Sequence, residues 1–372
     1  MAHMQKLSTN LKVNKMDYSF LLVVFALLAY GLIMVFSASS ATAHYQYGDA
    51  YYFIKRQFIW ALIGIGIMFI VSRIPYKTIY KYALHIMLVT VVLLLAVLLI
   101  GIEVKGAKRW LGFGPISFQP SEIAKFAIII FLSRSLSANK EALKTFKTGF
   151  IPYVIIIGIV AGLVFLEPHF SGAMVIGLTG VIIVWAAGAK FSHFMAIGVV
   201  AIPVVILMAT GADYRADRIA TFWDPFKDST GNGWQIVQSL YAIGSGGFFG
   251  LGLGQSRQKF LYLPEPQNDF IFSVICEELG FIGALLVIML FVILIWKGIK
   301  IAINAPDKFS SLVVIGIIGL IAVQAVLNIA VVTSSMPATG MPLPFFSYGG
   351  TSLVFILAEM GVVLSISREC EL

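Results

Sequence analysis

The fold class follows from residues 18–36, which read YSFLLVVFALLAYGLIMVF and contain no charged side chain. A helix needs about 20 mainly apolar residues to cross the hydrocarbon layer of a bilayer, and this run has nearly that length. Similar runs occupy residues 83–102, 170–189 and 312–332. Because backbone polar groups inside a bilayer must pair within their own segment, these runs predict transmembrane helices.

The composition extends this conclusion to the whole chain. Of the 372 residues, 59% are hydrophobic and 12% are charged, whereas soluble domains average about 45–50% and 25%. A soluble core cannot bury this surplus, so we predict an all-α integral membrane protein, with a single polytopic domain at residues 5–372. Residues 1–4, Met-Ala-His-Met, are interpreted as a remnant of an expression vector. The two cysteines, Cys276 and Cys370, imply no disulfide framework.

About ten transmembrane segments are predicted, at residues 18–36, 57–72, 82–102, 121–136, 150–167, 170–189, 193–210, 269–296, 310–333 and 351–367. Basic residues concentrate in alternate loops, and the positive-inside rule places those loops and both termini in the cytoplasm. Residues 137–149 and 297–308 are therefore predicted to be cytoplasmic, whereas residues 103–120 and the large loop 211–268 are extracytoplasmic. The net charge of +8 is then largely a signature of orientation, and no nucleic acid partner is implied.

One predicted extracytoplasmic loop carries basic residues where the positive-inside rule disfavours them. Lys105, Lys108 and Arg109 lie in this loop, and Lys125 follows near the start of the next segment, three residues after Glu122. Cations in this position indicate an anionic ligand. The alternatives are a snorkelling side chain for Lys125 and a lipid-headgroup contact for Arg109.

Glycine is concentrated in two stretches of the large loop, residues 244–247 and residues 250–254. Consecutive backbone N–H groups at such glycines can cradle phosphate. The glycines can equally serve only to form a tight turn. Their spacing matches neither a P-loop nor a dinucleotide-binding fingerprint, so a nucleotide site is not indicated.

A polar stripe marks the start of the eighth predicted segment. Helical spacing places Asp269, Ser273 and Glu277 on one face, at i, i+4 and i+8. Asp269 alone could be a helix N-cap, which is a frequent role of aspartate. Glu277 lies about two turns deeper, where an unpaired carboxylate is costly. The stripe therefore favours a functional role.

A larger set of motifs runs through the chain in a recognisable order. It comprises Arg109-Trp110, Gln119-Pro120-Ser121-Glu122, Gly233-Trp234-Gln235, Gly244-Ser245-Gly246-Gly247, Asn268-Asp269-Phe270-Ile271-Phe272, Glu277-Glu278-Leu279-Gly280 and Pro342-Leu343-Pro344-Phe345. This set resembles the SEDS family (shape, elongation, division and sporulation). Gln258-Lys259 and Gln267-Asn268-Asp269 resemble the FtsW/SpoVE branch more than the RodA branch. Glu167-Pro168-His169 departs from the family, in which many members carry aspartate after the proline.

The resemblance implies a peptidoglycan glycosyltransferase that polymerises lipid II at the outer face of the bacterial cytoplasmic membrane, with a class B penicillin-binding protein as partner. In that reaction the acceptor 4-hydroxyl loses a proton as it attacks the anomeric carbon, and undecaprenyl diphosphate leaves. Asp269 is the candidate base, and a single base suits direct displacement with inversion. The candidate substrate-binding residues are Arg109, Lys125, Arg218, Lys259, Glu265 and Glu277.

Two other functions are open on the sequence alone: a flippase for the lipid-linked precursor, and a non-enzymatic scaffold for the penicillin-binding protein. Transport requires ionisable groups near the bilayer midplane, and the sequence offers few, among them Glu277, Glu278 and Glu359. A scaffold requires no acid–base arrangement. A divalent cation could share the binding of diphosphate, although the sequence has no His/Cys/Asp cluster with metal-ligand spacing.

Overall fold

The structure is a computed structural model, and it describes residues 15–104, 107–113, 116–139, 142–211, 213–227, 231 and 233–370. The predicted vector remnant at residues 1–4 and the predicted loop cation Lys105 lie outside these residues.

Helices dominate the described chain. They are α1 (Tyr18–Tyr47), α2 (Tyr52–Val71), α3 (Tyr76–Ile100), α4 (Pro120–Ala138), α5 (Ile151–Leu166), α6 (Phe170–Ala186), α7 (Phe191–Thr210), α8 (Asp213–Trp223), α9 (Trp234–Gly246), α10 (Ile271–Ile303), α11 (Lys308–Val332) and α12 (Gly350–Ser367). Each of the ten predicted segments coincides with one of these helices. Helices α8 and α9 are additional and lie in the large loop.

Eight helices of the described chain are long and apolar enough to cross a bilayer, with α5 counted together with the short π-helical turn Phe146–Phe150 before it. The other two predicted segments are α4, which carries Glu122, Lys125 and Arg134, and α6, which is 17 residues long. The polytopic α-helical membrane fold is therefore confirmed. The number of crossings and the side on which each loop lies stay predictions.

Local capping chemistry sets several helix ends. Asp17 begins α1, and its carboxylate accepts hydrogen bonds from the N–H groups of Ser19 and Phe20. Gly48 ends α1 in the left-handed conformation that glycine adopts at least cost. Asp307 and Ser310 form a reciprocal capping box at the start of α11.

A small antiparallel sheet, which the sequence did not predict, connects α3 to α4. Its strands are β1 (Ile102–Val104), β2 (Ala107–Phe113) and β3 (Ile116–Phe118), in the order β1-β2-β3. Leu111 on β2 pairs with Phe118 on β3, immediately before α4 begins. The sheet carries Arg109 on its central strand and holds it beside the first turn of α4.

The core lies around α11, which packs against α4, α6 and α10, while α12 packs along α2. Helix α10 is broken at Gly280, whose φ of 65° and ψ of −161° are not helical. Two backbone hydrogen bonds join the loop after α9 to the helix at this break. The N–H of Gly252 donates to the carbonyl of Glu278, and the N–H of Phe281 donates to the carbonyl of Gly247. The large loop is thereby anchored directly to the backbone of α10.

Candidate active site

Asp269 lies at the point where the large loop meets α10. Helix α10 begins at Ile271 and its N-cap is Phe270, so Asp269 precedes the cap by one residue. A Cβ added to Gly340 would stand 3.3 Å from Oδ2 of Asp269, which places this carboxylate oxygen against the turn at Gly340. Asp269 therefore occupies a packed position between two segments of the chain.

Two neighbouring cavities meet at Asp269. The larger has a volume of about 780 Å³ and the smaller about 230 Å³. Both are lined by one shared group of residues, which consists of Arg109, His169, Asn268, Asp269, Gly340 and Met341. The proposed base thus has access to a space on either side of it.

The smaller cavity contains the predicted cation Lys125. Its side chain is 7% exposed, and Nζ lies 2.7 Å from Oε1 of Glu122. Oε2 of Glu122 accepts a hydrogen bond of 3.2 Å from Oγ of Ser352. A buried, ion-paired lysine on a cavity wall does not fit the snorkelling alternative. Lys125 is instead a buried basic residue on the wall of the smaller cavity.

Arg109 lines both cavities and is fixed by the corner between α5 and α6. Its Nε donates to the backbone carbonyl of Glu167 at 3.2 Å, and a terminal nitrogen donates to the carbonyl of Pro168. Two backbone carbonyls therefore hold the guanidinium group at the walls of both cavities.

The same corner contains two ionisable groups, Glu167 and His169. Neither carboxylate oxygen of Glu167 has a hydrogen-bond partner among the described residues. Burial, together with Arg109 and Lys125, lowers the pKa of His169 to about 3. At neutral pH the corner therefore presents a neutral imidazole.

The imidazole of His169 is oriented by α4 and the residue before it. Its Nδ1 lies 3.1 Å from Nε2 of Gln119 and 3.3 Å from Oγ of Ser121. The sequence marked this corner only as a departure from the family. Its place beside Arg109 depends on contacts between residues 58 positions apart, which no local pattern reveals.

Arg218 and Glu265 line the larger cavity, as their predicted roles require. Arg218 on α8 donates to the carbonyl of Ala338 at 3.1 Å. Glu265 accepts a hydrogen bond from the side-chain amide of Asn268. The structure thus brings Asp269, Arg109, Lys125, Arg218 and Glu265 together around two adjoining spaces.

Lys259 and Glu277, which were also predicted to bind substrate, lie outside the residues that line the two cavities. Nζ of Lys259 lies 2.9 Å from Oε1 of Glu278 and 2.7 Å from the carbonyl of Gly254. Glu277 accepts hydrogen bonds from Oγ of Ser256 and from the N–H of Arg257. Buried charges require such partners, and this arrangement favours a structural role for both residues.

The glycine-rich stretch 250–254 likewise uses its backbone donors within the protein. The N–H groups of Gly250, Leu251 and Gly252 donate to the carbonyls of Gly246, Glu277 and Glu278. That of Gly254 donates to the Glu278 carboxylate at 2.9 Å. Because these donors are occupied, the structure favours the turn interpretation over a phosphate cradle. Among the described residues, no group of three or more His, Cys, Asp or Glu side chains could hold a metal ion.

The sequence of this chain is similar to those of known proteins. The sequence profile of the FtsW/RodA/SpoVE family, described as "Cell cycle protein", matches residues 18–372. Stage V sporulation protein E of Bacillus subtilis is 42% identical over 96% of this chain and 98% of its own. A Trichlorobacter lovleyi protein named "Probable peptidoglycan glycosyltransferase FtsW" is 41% identical over 97% of this chain and 95% of its own.

Two solved structures share the fold. One belongs to work described as "Structural coordination of polymerization and crosslinking by a peptidoglycan synthase complex"; its TM-score is 0.80, with 28% identity over 95% of this chain and 98% of that chain. The other, the rod shape determining protein RodA of Thermus thermophilus, has a TM-score of 0.71 and 25% identity over 96% of this chain and 98% of that chain. The sporulation and division proteins are more similar in sequence than this RodA, in agreement with the branch prediction.

Proposed function

Because this chain belongs to the FtsW/RodA/SpoVE family, we propose that it is a peptidoglycan glycosyltransferase that polymerises lipid II, with Asp269 as the general base. The observation that carries the proposal is the position of Asp269 between two cavities that share Arg109. The names of relatives that are about 40% identical over nearly the whole chain support the activity.

Two adjoining cavities suit a reaction between two lipid-linked sugars. A donor in one cavity and an acceptor in the other would meet at Asp269, where the carboxylate can take the proton of the attacking 4-hydroxyl. The leaving diphosphate carries the charge that must be stabilised, and Arg109 and Lys125 can supply charge-assisted hydrogen bonds to it. Arg218 and Glu265 on the larger cavity can orient the remaining polar groups of a substrate.

The stereochemical expectation is inversion by direct displacement. A retaining route would require a carboxylate nucleophile at the anomeric carbon. Glu122 is the acid beside Lys125, but its two oxygens already contact Lys125 and Ser352. Glu265, the other acid beside Asp269 on the larger cavity, accepts a hydrogen bond from Asn268. With Asp269 as the base, this arrangement supports a single displacement.

A class B penicillin-binding protein is the proposed partner. A structure from work on a peptidoglycan synthase complex has the same fold as this chain, which supports such an assembly. The flippase and scaffold alternatives receive less support. Two of the few membrane acids, Glu277 and Glu278, are occupied in binding the large loop.

The test is glycan formation from fluorescent lipid II by the purified protein together with its penicillin-binding partner. Asp269→Asn removes the proton acceptor and is nearly isosteric, so the variant should fold, bind the partner and lose about 10²–10⁴ in rate, as expected for a general base. Gel separation of the products measures glycan length and rate. Polymer at the wild-type rate from Asp269→Asn would exclude the base, and no polymer from the wild-type complex would favour a flippase or scaffold.

A further inference from the structure

The backbone that carries Asp269 is held by an unusual series of contacts from the C-terminal part of the chain. The carbonyls of Gln267, Asn268 and Asp269 are consecutive, and each accepts one hydrogen bond. The donors are the N–H of Tyr348 at 2.8 Å, Oγ of Ser347 at 2.6 Å and Nδ2 of Asn328 at 2.8 Å, respectively. Three carbonyls in a row are thus fixed by α11 and by the segment that leads into α12.

Asn328 makes a second contact, with the turn that faces the Asp269 carboxylate. The same Nδ2 donates to the carbonyl of Met341 at 2.6 Å. Met341 and the adjacent Gly340 line both cavities, and Gly340 faces the Asp269 carboxylate. One amide therefore connects the backbone of Asp269 to the turn that its carboxylate packs against.

The chemistry of this contact fixes the side chain of Asn328 in one orientation. Both neighbours are carbonyl oxygens, which only accept hydrogen bonds, so both protons of the amide nitrogen are used. Asn328 is 1% exposed on α11, at the centre of the helix bundle. It is consequently carried by a helix that packs against α4, α6 and α10, as suits a residue that supports a catalytic group.

A further contact anchors the segment that contributes Ser347 and Tyr348. Gln57 on α2 is fully buried; its Nε2 donates to the carbonyl of Ser347 at 3.3 Å and its Oε1 accepts from the N–H of Gly349 at 3.2 Å. The segment is therefore held on both sides, by Gln57 and by the Asp269 backbone.

We propose that Asn328 is a positioning residue that sets the distance and direction of the Asp269 carboxylate relative to the Gly340–Met341 turn. This inference rests on the proposed function, because it assumes that Asp269 is the base. Asn328 itself lines neither cavity and acts through the two carbonyls that it binds. A merely structural asparagine would stabilise the fold without controlling the chemical step.

The test is a double-mutant cycle in the lipid II polymerisation assay, with Asn328→Leu, Asp269→Asn and the double variant. Leucine keeps the number and branching of the side-chain heavy atoms but donates no hydrogen bond. A misplacement of about 1 Å can cost about 10²-fold in rate, so we expect kcat to fall by about 10–100-fold with KM unchanged. If Asn328 acts only through Asp269, Asn328→Leu should cause no further loss in the Asp269→Asn background.

A milder variant replaces Asn328→Leu if that protein misfolds, and a matched control tests the same substitution away from the cavities. Ser347→Ala removes the hydroxyl that donates to the Asn268 carbonyl and accepts from the N–H of Leu343. The rate constant kcat should fall by about tenfold, a size set by the net contributions of these two hydrogen bonds. Ser347→Ala replaces Asn328→Leu in the cycle if the latter does not fold. Asn304→Leu makes the same chemical change at the far end of α10, where the amide binds only the Lys300 carbonyl, and should leave kcat unchanged.

The outcomes distinguish the proposed role of Asp269 as the base from the proposed positioning role of Asn328. Wild-type activity from Asp269→Asn would reject the proposed base itself. With the rate of Asp269→Asn reduced but measurable, the positioning role is rejected by a wild-type kcat in the folded Asn328→Leu variant, by a loss confined to KM, or by losses that multiply in the double variant.

Discussion

At the scale of single residues, Glu122 and Lys125 form a buried ion pair that affects the stability of the protein as well as its proposed activity. Both side chains are less than one tenth exposed and lie 2.7 Å apart. Removing either partner leaves the other as an unpaired buried charge, which costs about 3–5 kcal/mol. A single substitution would therefore lower activity through stability alone, whether or not Lys125 binds diphosphate.

Replacing both residues by uncharged ones separates the effect on stability from the effect on diphosphate binding. We expect Lys125→Met to lower the melting temperature and abolish polymerisation, whereas Lys125→Met combined with Glu122→Gln should recover the melting temperature, because neutral replacement of a buried ion pair is often harmless. Polymerisation should remain low in the double variant, since the cation that meets diphosphate is missing. Thermal unfolding in detergent and the lipid II assay measure the two effects. Recovery of both would assign Lys125 a purely structural role.

At the scale of elements, the break in α10 determines how the large loop is held. Gly280 has a φ of 65°, and a Cβ there would stand 2.3 Å from the backbone nitrogen of Gly250. Gly280→Ala therefore combines backbone strain of about 1–3 kcal/mol with a backbone clash. We expect it to lower the melting temperature in detergent by several degrees and to reduce polymerisation, because the loop that leads to Asp269 is displaced.

Gly244 provides the matched control for this prediction. It lies within α9, and a Cβ there would meet no atom within 4 Å. Gly244→Ala should therefore keep or slightly raise the melting temperature, since alanine is favoured over glycine in helices by about 0.5–1 kcal/mol. Equal melting temperatures for the two variants would show that the close approach of residues 250 and 280 does not stabilise the fold.

The elements also show what a sequence can predict. The ten helical segments were predictable because long apolar runs such as residues 18–36 are local signals. The location of Asp269 near the start of the eighth segment was predictable too, because its motif is continuous. The small sheet was not, because β1 and β3 have only three residues each. The contact of Lys259 with Glu278 was not predictable either, because the two residues are 19 positions apart and lie in the large loop and in α10.

At the scale of the whole molecule, the cavities lie at one end of the helix bundle and a basic cluster, formed by Lys81, Arg134 and Lys308, lies at the other. The active-site candidates Arg109 and Lys125 lie where α3 ends and α4 begins. At the other end of the same two helices, Arg134 of α4 donates to the carbonyl of Lys81 of α3. Lys308, at the start of α11, likewise donates to the carbonyl of Ala187, just after α6. The cavities and this basic cluster therefore lie at opposite ends of α4.

This separation makes the orientation of the protein testable in cells. The positive-inside rule places the basic end in the cytoplasm, so the cavities and the large loop should face outward, where lipid II is polymerised. In a Cys370→Ser background, Lys227→Cys in the large loop should react with a membrane-impermeant maleimide in intact cells. Lys300→Cys near the end of α10 should react only after permeabilisation. Both positions are exposed in the structure, and the native Cys276 is buried. The reverse labelling pattern would place Asp269 at the cytoplasmic face, on the wrong side for extracytoplasmic glycan synthesis, and would overturn the proposed function together with the orientation.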